Sequence, residues 1–411
     1  MTKSDRHCDF PHALELAIVA AIAVAARLWF LAFTHLTQED ALISLRYARN
    51  LAGGMGLVYN PGERVFGATT PLHVLLLAAL SALHLRDPLY WSKLLSIAAD
   101  GVTTAVWYHV IYRETRSRVG ALTFAAAFGL SPYVIEITTS GMETSAVLLC
   151  LTLAFEAVYS RRGAVLGLWL GLLLLLRLDA GIFVLILLAA RASRERRLPM
   201  RDVALLAAVA APWFLFSFSY YGSVIPNSIP AKLSAYNVHM HSMKRQFWYT
   251  LSHLTPLRNG ARASLFAMLY LPVFLLGFRD IIRQRRAMLA VPVFFLAQWA
   301  FLVLPRSLIF RWYIPPLPLP YYVVGGVGAA ALQRWHATTA TRPALQRAFC
   351  AVFVGGLAVH TGHWLTSAAR RSWTIQCYEE SVRKPIGLWL AQHTPPDAVV
   401  STEPISAFAL A

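Results

Sequence analysis

HALELAIVAAIAVAARLWFLAFTHLTQEDALISLRYARNLAGG, residues 12–54, decides the fold class. Its first half is a continuous apolar run near residues 12–34. About 20 such residues suffice to cross a bilayer as a helix. The run is too long for a signal-peptide core and no small-residue cleavage site follows it, so it reads as a retained span. Its second half turns abruptly polar, with Glu39 and Asp40 at the mouth of the span.

The rest of the chain repeats the theme. Of 411 residues, 57% are hydrophobic and 14% charged, with a mean hydropathy of +0.53. A soluble chain carries about 25% charged residues, so the deficit calls for lipid as solvent. The net charge of +17 does not point to nucleic acid. The arginines sit in short loops between apolar runs, as positive-inside topology requires. Cys8, Cys150, Cys350 and Cys377 have neither metal-ligand nor redox spacing.

Basic loops at Arg113–Arg118, Arg161–Arg162, Arg191–Arg201, Arg279–Arg286 and Arg334–Arg347 are expected on the cytoplasmic side. Loops poorer in basic residues, at about 136–142, 177–180, 220–262 and 305–310, are expected outside. With an inside N-terminus (Lys3, Arg6), parity holds if the short run 71–84 is a re-entrant or half-buried helix. The expectation is an all-α polytopic membrane protein of about eleven spans. Runs 163–176 and 180–192 read either as two short spans meeting at the outer face or as one broken helix.

The most polar stretch outside the basic loops and the tail is TQEDALISLRYARNLAGGMGLVYNPGERVFGATTPLHVLLL, residues 37–77. Residues 39–52 form a short helix in this reading. Gly53, Gly54 and Gly56 end it, and Asn60-Pro61-Gly62-Glu63 marks a turn. On that helix Asp40, Ser44 and Tyr47 share one face, while Glu39, Ile43 and Arg46 share the neighbouring one. Adjacent helical residues diverge by roughly 100°, so the two acids take different surroundings. One can act as a base while the other is pinned. Acids in a first turn also stabilise the helix dipole without further purpose.

Four later segments carry chemistry. Glu143, in TTSGMETSAVLL (138–149), is an acid entering a span, where ionisable groups are costly. Arg177-Leu178-Asp179 interrupts an apolar stretch and reads as an ion pair at a helix break or as a substrate contact. SYYGSVIPNSIPAKLSAY (219–236) brings Asn227 and Lys232, the lysine either snorkelling to headgroups or holding a phosphate. FRWYIPPLPLPYY (310–322) brings Arg311, suited to bidentate phosphate contact, with Trp312 and Tyr313 read as interfacial anchors. No Walker loop, dinucleotide fingerprint or serine elbow is present in the sequence.

The block from Glu39 to Leu77, EDALISLRYARNLAGG-GLVYNPGERV-G-TTPL, resembles the first outer loop of the GT-C membrane glycosyltransferases typified by the mycobacterial terminal arabinofuranosyltransferase family. SGMET (140–144), LLLRLDA (174–180), YYGSVIPNSIPAK (220–232) and FRWYIPPLP (310–318) resemble further blocks, in family order. The resemblance implies a GT-C transmembrane domain over 1–366. It also implies an outer soluble domain beginning within 367–411, with a strand emerging over Asp397–Ser401 and the domain shortened or truncated. The implied activity is transfer of a sugar, arabinofuranose or another pentose or hexose, from a polyprenyl-phosphate donor to a cell-envelope glycan or lipid acceptor. The implied location is the extracytoplasmic face of the bacterial inner membrane.

Carried over by residue, Asp40 is the general base, with Glu39 and Glu143 as further catalytic acids. Glu143 orients the acceptor or, with Glu39 and Asp40, a divalent cation (Mg or Mn). Arg46, Lys232 and Arg311 neutralise the donor phosphate. Tyr59, Asn60, Arg64, Thr69, Arg177, Asp179 and Asn227 complete the expected substrate-binding set. Two departures, Arg177-Leu178-Asp179 for a commoner Arg-Pro-acid and Ala68-Thr69-Thr70 for an aromatic-led triplet, leave the sugar open. The competing class is a polyprenyl-linked sugar transporter or flippase, which should show internal repeats. None is found in the sequence. A non-catalytic scaffold is the third reading.

Overall fold

The computed structural model describes residues 10–83, 87–160, 165–236, 242–254, 261–305, 309–339 and 343–395. They form helices and turns, with no strand among the described residues. The chain begins with α1 (Phe10–Thr34), α2 (Glu39–Ala52), α3 (Pro71–Ala82) and α4 (Pro88–Thr115). A bent pair follows, α5 (Arg118–Gly129) and α6 (Pro132–Thr138), then α7 (Thr144–Ser160), α8 (Val165–Leu176) and α9 (Gly181–Glu195). Next come α10 (Met200–Tyr221), α11 (Ser228–Tyr236), α12 (Met243–Leu254) and α13 (Ala261–Gln284). The last are α14 (Ala290–Val303), α15 (Pro318–Thr339), α16 (Pro343–Tyr378) and α17 (Lys384–His393).

Polar contacts sort the helix termini into two ends. At the basic end Glu15 pairs with Arg118, Arg113 with Glu156, and Asp280 with both Arg285 and Arg334. Asp202 accepts the Gly167 N–H and lies 3.7 Å from Arg191, so α8 starts, α9 ends and α10 starts together. At the opposite end, the loop end, Lys93 donates to the Leu36 carbonyl, and Gln376 accepts from the Thr37 N–H. Because α8 starts where α9 ends, α8 and α9 run in opposite directions between the two ends. The 163–192 region is therefore two short helices that meet at the loop end, not one broken helix.

By length and apolarity alone, four helices qualify as spans among the described residues, His12–Thr34, Pro88–Thr115, Met200–Tyr221 and Arg286–Val303, and the bent pair would make a fifth. The helices α7 and α8, 17 and 12 residues long, fall short of that criterion. Twelve residues rise only about 18 Å, against about 30 Å of hydrocarbon. Helix α3, also 12 residues, stays at the loop end, because α4 starts there beside Leu36.

Within the bundle, α13 packs along α15, α15 along α5, and α4 against α1, α5 and α7. Arg27 of α1 and Asp100 of α4 form a fully buried ion pair at 2.5 Å. Arg27 also donates to the carbonyls of Ala23 and Gly129. The 53° bend between α5 and α6 interrupts the helical ladder near Gly129, and the guanidinium satisfies that carbonyl where no water competes. Helix α16 runs past residue 366 without a break and continues through a π-helical turn into α17. The Asp397–Ser401 strand expected beyond it lies outside the described residues.

Candidate functional site

Helix α2 spans Glu39–Ala52, the boundaries its sequence pattern predicts. Ala41, Leu45 and Ala48 form its buried face, in a small core with Val74, Leu77 and Leu89. Gly54 and Gly56 take the left-handed conformation (φ +77° and +90°), whereas Gly53 keeps a negative φ. The loop that follows is clamped back onto α2. Asn50 donates to the carbonyls of Val58 and Tyr59, both at 2.9 Å. Tyr47 donates to the Val65 carbonyl and accepts the Gly67 N–H. Arg46 donates to the Tyr59 carbonyl at 3.0 Å and lies over the Tyr59 ring.

The loop after α10 zips onto the same segment. The Tyr221 hydroxyl donates to the Leu57 carbonyl, the Asn227 N–H to that of Phe66, and the Ser228 hydroxyl to that of Gly67. The Phe66 and Tyr221 rings stack at 4.6 Å.

These pieces wall a cavity of about 440 Å³ at the loop end. Asp40, Ser44 and Tyr47 line it from α2, as their shared face requires, and Thr69 and Thr70 from the loop. Glu143 reaches it from the turn between α6 and α7. That turn is pinned by the Gln38 N–H on the Ser140 carbonyl and by His73 on the Gly141 carbonyl. Gly141 has φ +91°, and a Cβ there would meet Leu89, Ala41 and Lys93 at 3.0–3.3 Å.

Arg177 is central. It makes a bidentate pair with Asp179 (2.9 and 2.8 Å), lies 3.5 Å from Glu143, and donates to the Trp312 carbonyl at 2.9 Å. Its guanidinium sits 4.3 Å from the centre of the Tyr313 ring. Glu143 is 3% exposed, and its Oε2 has no hydrogen-bond partner among the described residues. Burial raises its pKa from the ordinary glutamate value, Arg177 and its own backbone hydrogen bond oppose that, and Asp179 and Asp40 add to the rise. Tyr313 is pushed up to about 12, chiefly by burial against the opposing pull of Arg177, with Asp179, Glu143 and Asp40 adding to the rise.

The structure thus gathers Asp40, Thr69, Glu143, Arg177 and Asp179 around one cavity. It does not gather the others. Glu39 acts electrostatically on Tyr59 and does not line the cavity. Arg64 lies over the Tyr220 ring, and Asn227 contributes its backbone N–H while its side chain is exposed. Arg311, expected as a phosphate ligand, pairs instead with Glu136 of α6 at 2.7 Å and does not line the cavity. The side chain of Lys232 lies outside the described residues.

The three expected metal ligands do not converge. Among the described residues no group of three His, Cys, Asp or Glu side chains is placed to hold an ion. Of that expected set, Asp40 and Glu143 line the cavity and Glu39 does not. Trp312 and Tyr313, read from sequence as lipid-interface anchors, line the cavity. Their adjacency to Arg311 in an aromatic turn between two spans was the available signal, and it fits either role.

No family model matches the chain. It is 28% identical over 259 residues to the terminal β-(1→2)-arabinofuranosyltransferase of Corynebacterium glutamicum, a match covering 54% of this chain. The matched stretch spans only 36% of that relative's length. In three dimensions the chain superposes on crystal structures of ArnT from Cupriavidus metallidurans. The form bound to undecaprenyl phosphate gives a TM-score of 0.59 at 15% identity, covering 96% of this chain and 83% of ArnT. The apo form gives 0.58, also at 15% identity, covering 97% and 84%. The bundle of helices, the loop-end helices and the cavity beneath them therefore belong to an all-α polytopic membrane protein with the GT-C fold that ArnT has.

Proposed function

We propose that the chain is an inverting glycosyltransferase. It transfers a sugar from a polyprenyl-phosphate donor to a hydroxyl of a cell-envelope glycan or lipid on the extracytoplasmic side of the bacterial cytoplasmic membrane. The observation that carries the proposal is the cavity in which Asp40 faces the Arg177–Glu143–Asp179 group. Carboxylates that accept hydrogen bonds, next to the rings of Trp312 and Tyr313, suit a polyhydroxylated ring: a few convergent polar groups in a mostly apolar hollow. The likeness to ArnT, seen bound to undecaprenyl phosphate, and to a terminal arabinofuranosyltransferase supports the donor class and the reaction type.

In this mechanism the acceptor oxygen attacks the anomeric carbon. The bond from that carbon to the phosphate oxygen breaks, and its electron pair leaves on the polyprenyl phosphate. The acceptor proton passes to Asp40. A single displacement inverts the anomeric centre. Glu143 Oε2, buried and without a hydrogen-bond donor among the described residues, accepts a hydrogen bond from a substrate hydroxyl. Arg177 holds Glu143 in place for it.

The test is transfer from a synthetic polyprenyl-phosphate sugar by the purified protein. A positioned carboxylate base contributes about 10²–10⁴-fold, so folded Asp40→Asn is expected to lose activity on that scale. Transfer by Asp40→Asn at the wild-type rate would remove Asp40 as the base.

A further inference from the structure

The turn Phe310–Tyr313 connects the cavity to parts of the bundle that the proposed reaction does not use. Three successive carbonyls of this turn each accept a side-chain donor from a different element. Tyr133 of α6 donates to the Arg311 carbonyl, Arg177 at the α8–α9 break to the Trp312 carbonyl, and Gln298 of α14 to the Tyr313 carbonyl. Gln298 is 1% exposed. On the cavity side the turn presents Trp312 and Tyr313, with the Tyr313 ring against Arg177. On the opposite side Arg311 pairs with Glu136, itself 8% exposed, and lies over the ring of Tyr133.

We infer that the Arg311–Glu136 pair is a latch that fastens this turn to α6 and so fixes Trp312 and Tyr313 against Arg177, making Arg311 and Glu136 positioning residues rather than donor-phosphate ligands. A ring and a carbonyl that both touch the Arg177 guanidinium belong to adjacent residues of one short turn. Any loosening of that turn moves both contacts together. The pair that anchors the turn therefore controls how tightly Arg177 holds Glu143. Arg311 presents Nη2 to the Glu136 carboxylate at 2.7 Å, and breaking a pair at such mostly buried positions is costly.

The link to catalysis rests on the proposed glycosyltransferase reading, whereas the latch itself does not. Hydrogen–deuterium exchange on the full chain tests the latch. Arg311→Gln and Glu136→Gln should each speed exchange at least tenfold in residues 311–317 and around Ala180, and leave residues 45–52 unchanged. Transfer kinetics test its consequence. Each single variant should lower kcat about tenfold or more, while half-inhibition by added polyprenyl phosphate stays within twofold of wild type. The reversed pair, Glu136→Arg with Arg311→Glu, should restore both slow exchange and kcat to within a few-fold.

A phosphate ligand predicts the reverse pattern. Inhibition by polyprenyl phosphate would weaken tenfold or more in Arg311→Gln, and the reversed pair, with a carboxylate facing the phosphate, would stay inactive. That result, or unchanged exchange in the single variants, overturns the latch. A wild-type protein with no transferase activity but with the exchange pattern intact would instead overturn the functional reading and leave the latch standing.

Discussion

Glu143 is the acid whose surroundings decide most. Its carboxylate is buried in the turn between α6 and α7, one oxygen near Arg177 and the other without a protein donor among the described residues. Burial raises its pKa, with Arg177 opposing. For a carboxylate with a raised folded pKa, its contribution to stability is fully present below the unfolded value, about 4.3. It is lost as pH rises through the folded value. Wild-type thermal stability should therefore decline over that window, and Glu143→Gln, which cannot ionise, should show a flatter profile. Melting temperatures of the two proteins that run parallel as pH rises from the unfolded value of about 4.3 would contradict the burial-driven shift. Asp40 differs in kind. It shares the face of α2 that lines the cavity, while Glu39 acts on Tyr59, so the two neighbouring acids are not interchangeable.

The break between α8 and α9 is the element that makes the site. Two short apolar helices expose their facing termini at the loop end, and Arg177 fills the gap with contacts to Asp179, Glu143 and the Trp312 carbonyl. Removing one member of a buried charged group leaves the others uncompensated, at a cost of about 3–5 kcal/mol. Arg177→Met should lower the melting temperature accordingly and abolish transfer. Arg177→Lys should recover stability only in part, because a single ammonium cannot reproduce the bidentate fork. A melting temperature unchanged in Arg177→Met would show that the cluster contributes nothing to the fold.

The clamp on the loop after α2 is the second element with a clear role. Asn50 satisfies two carbonyls, and leaving buried carbonyls unmet costs about 1–3 kcal/mol. Asn50→Ala should increase proteolytic cleavage within residues 53–64 without altering cleavage elsewhere. An unchanged digestion pattern would mean that Arg46 and Tyr47 hold the loop without it.

Among the described residues, the basic clusters at Arg113–Arg118, Arg191, Arg285 and Arg334 gather at one end and the acid-lined cavity lies at the other. If the basic end faces the cytoplasm, cysteines placed at Asn60 and at Arg197, both exposed, should react with a membrane-impermeant maleimide from opposite sides of sealed vesicles. Labelling of both from one side would dismantle the arrangement.

The sequence by itself determined the membrane solvent, through an apolar fraction that no soluble core could absorb. It also determined the boundaries of α2 and the divergence of Glu39 from Asp40, because facing within one helix follows from spacing alone. The alternation of basic and basic-poor loops likewise anticipated which termini lie together. Among the described residues, the tertiary structure alone decided which of three arginines lines the cavity. Arg46, Arg177 and Arg311 all looked suitable, yet Arg46 closes a loop, Arg311 pairs with Glu136 and Arg177 meets the acids. Arg177 contacts Trp312 across 135 positions of chain. Contacts of that range depend on how separate helices pack, which no local period encodes.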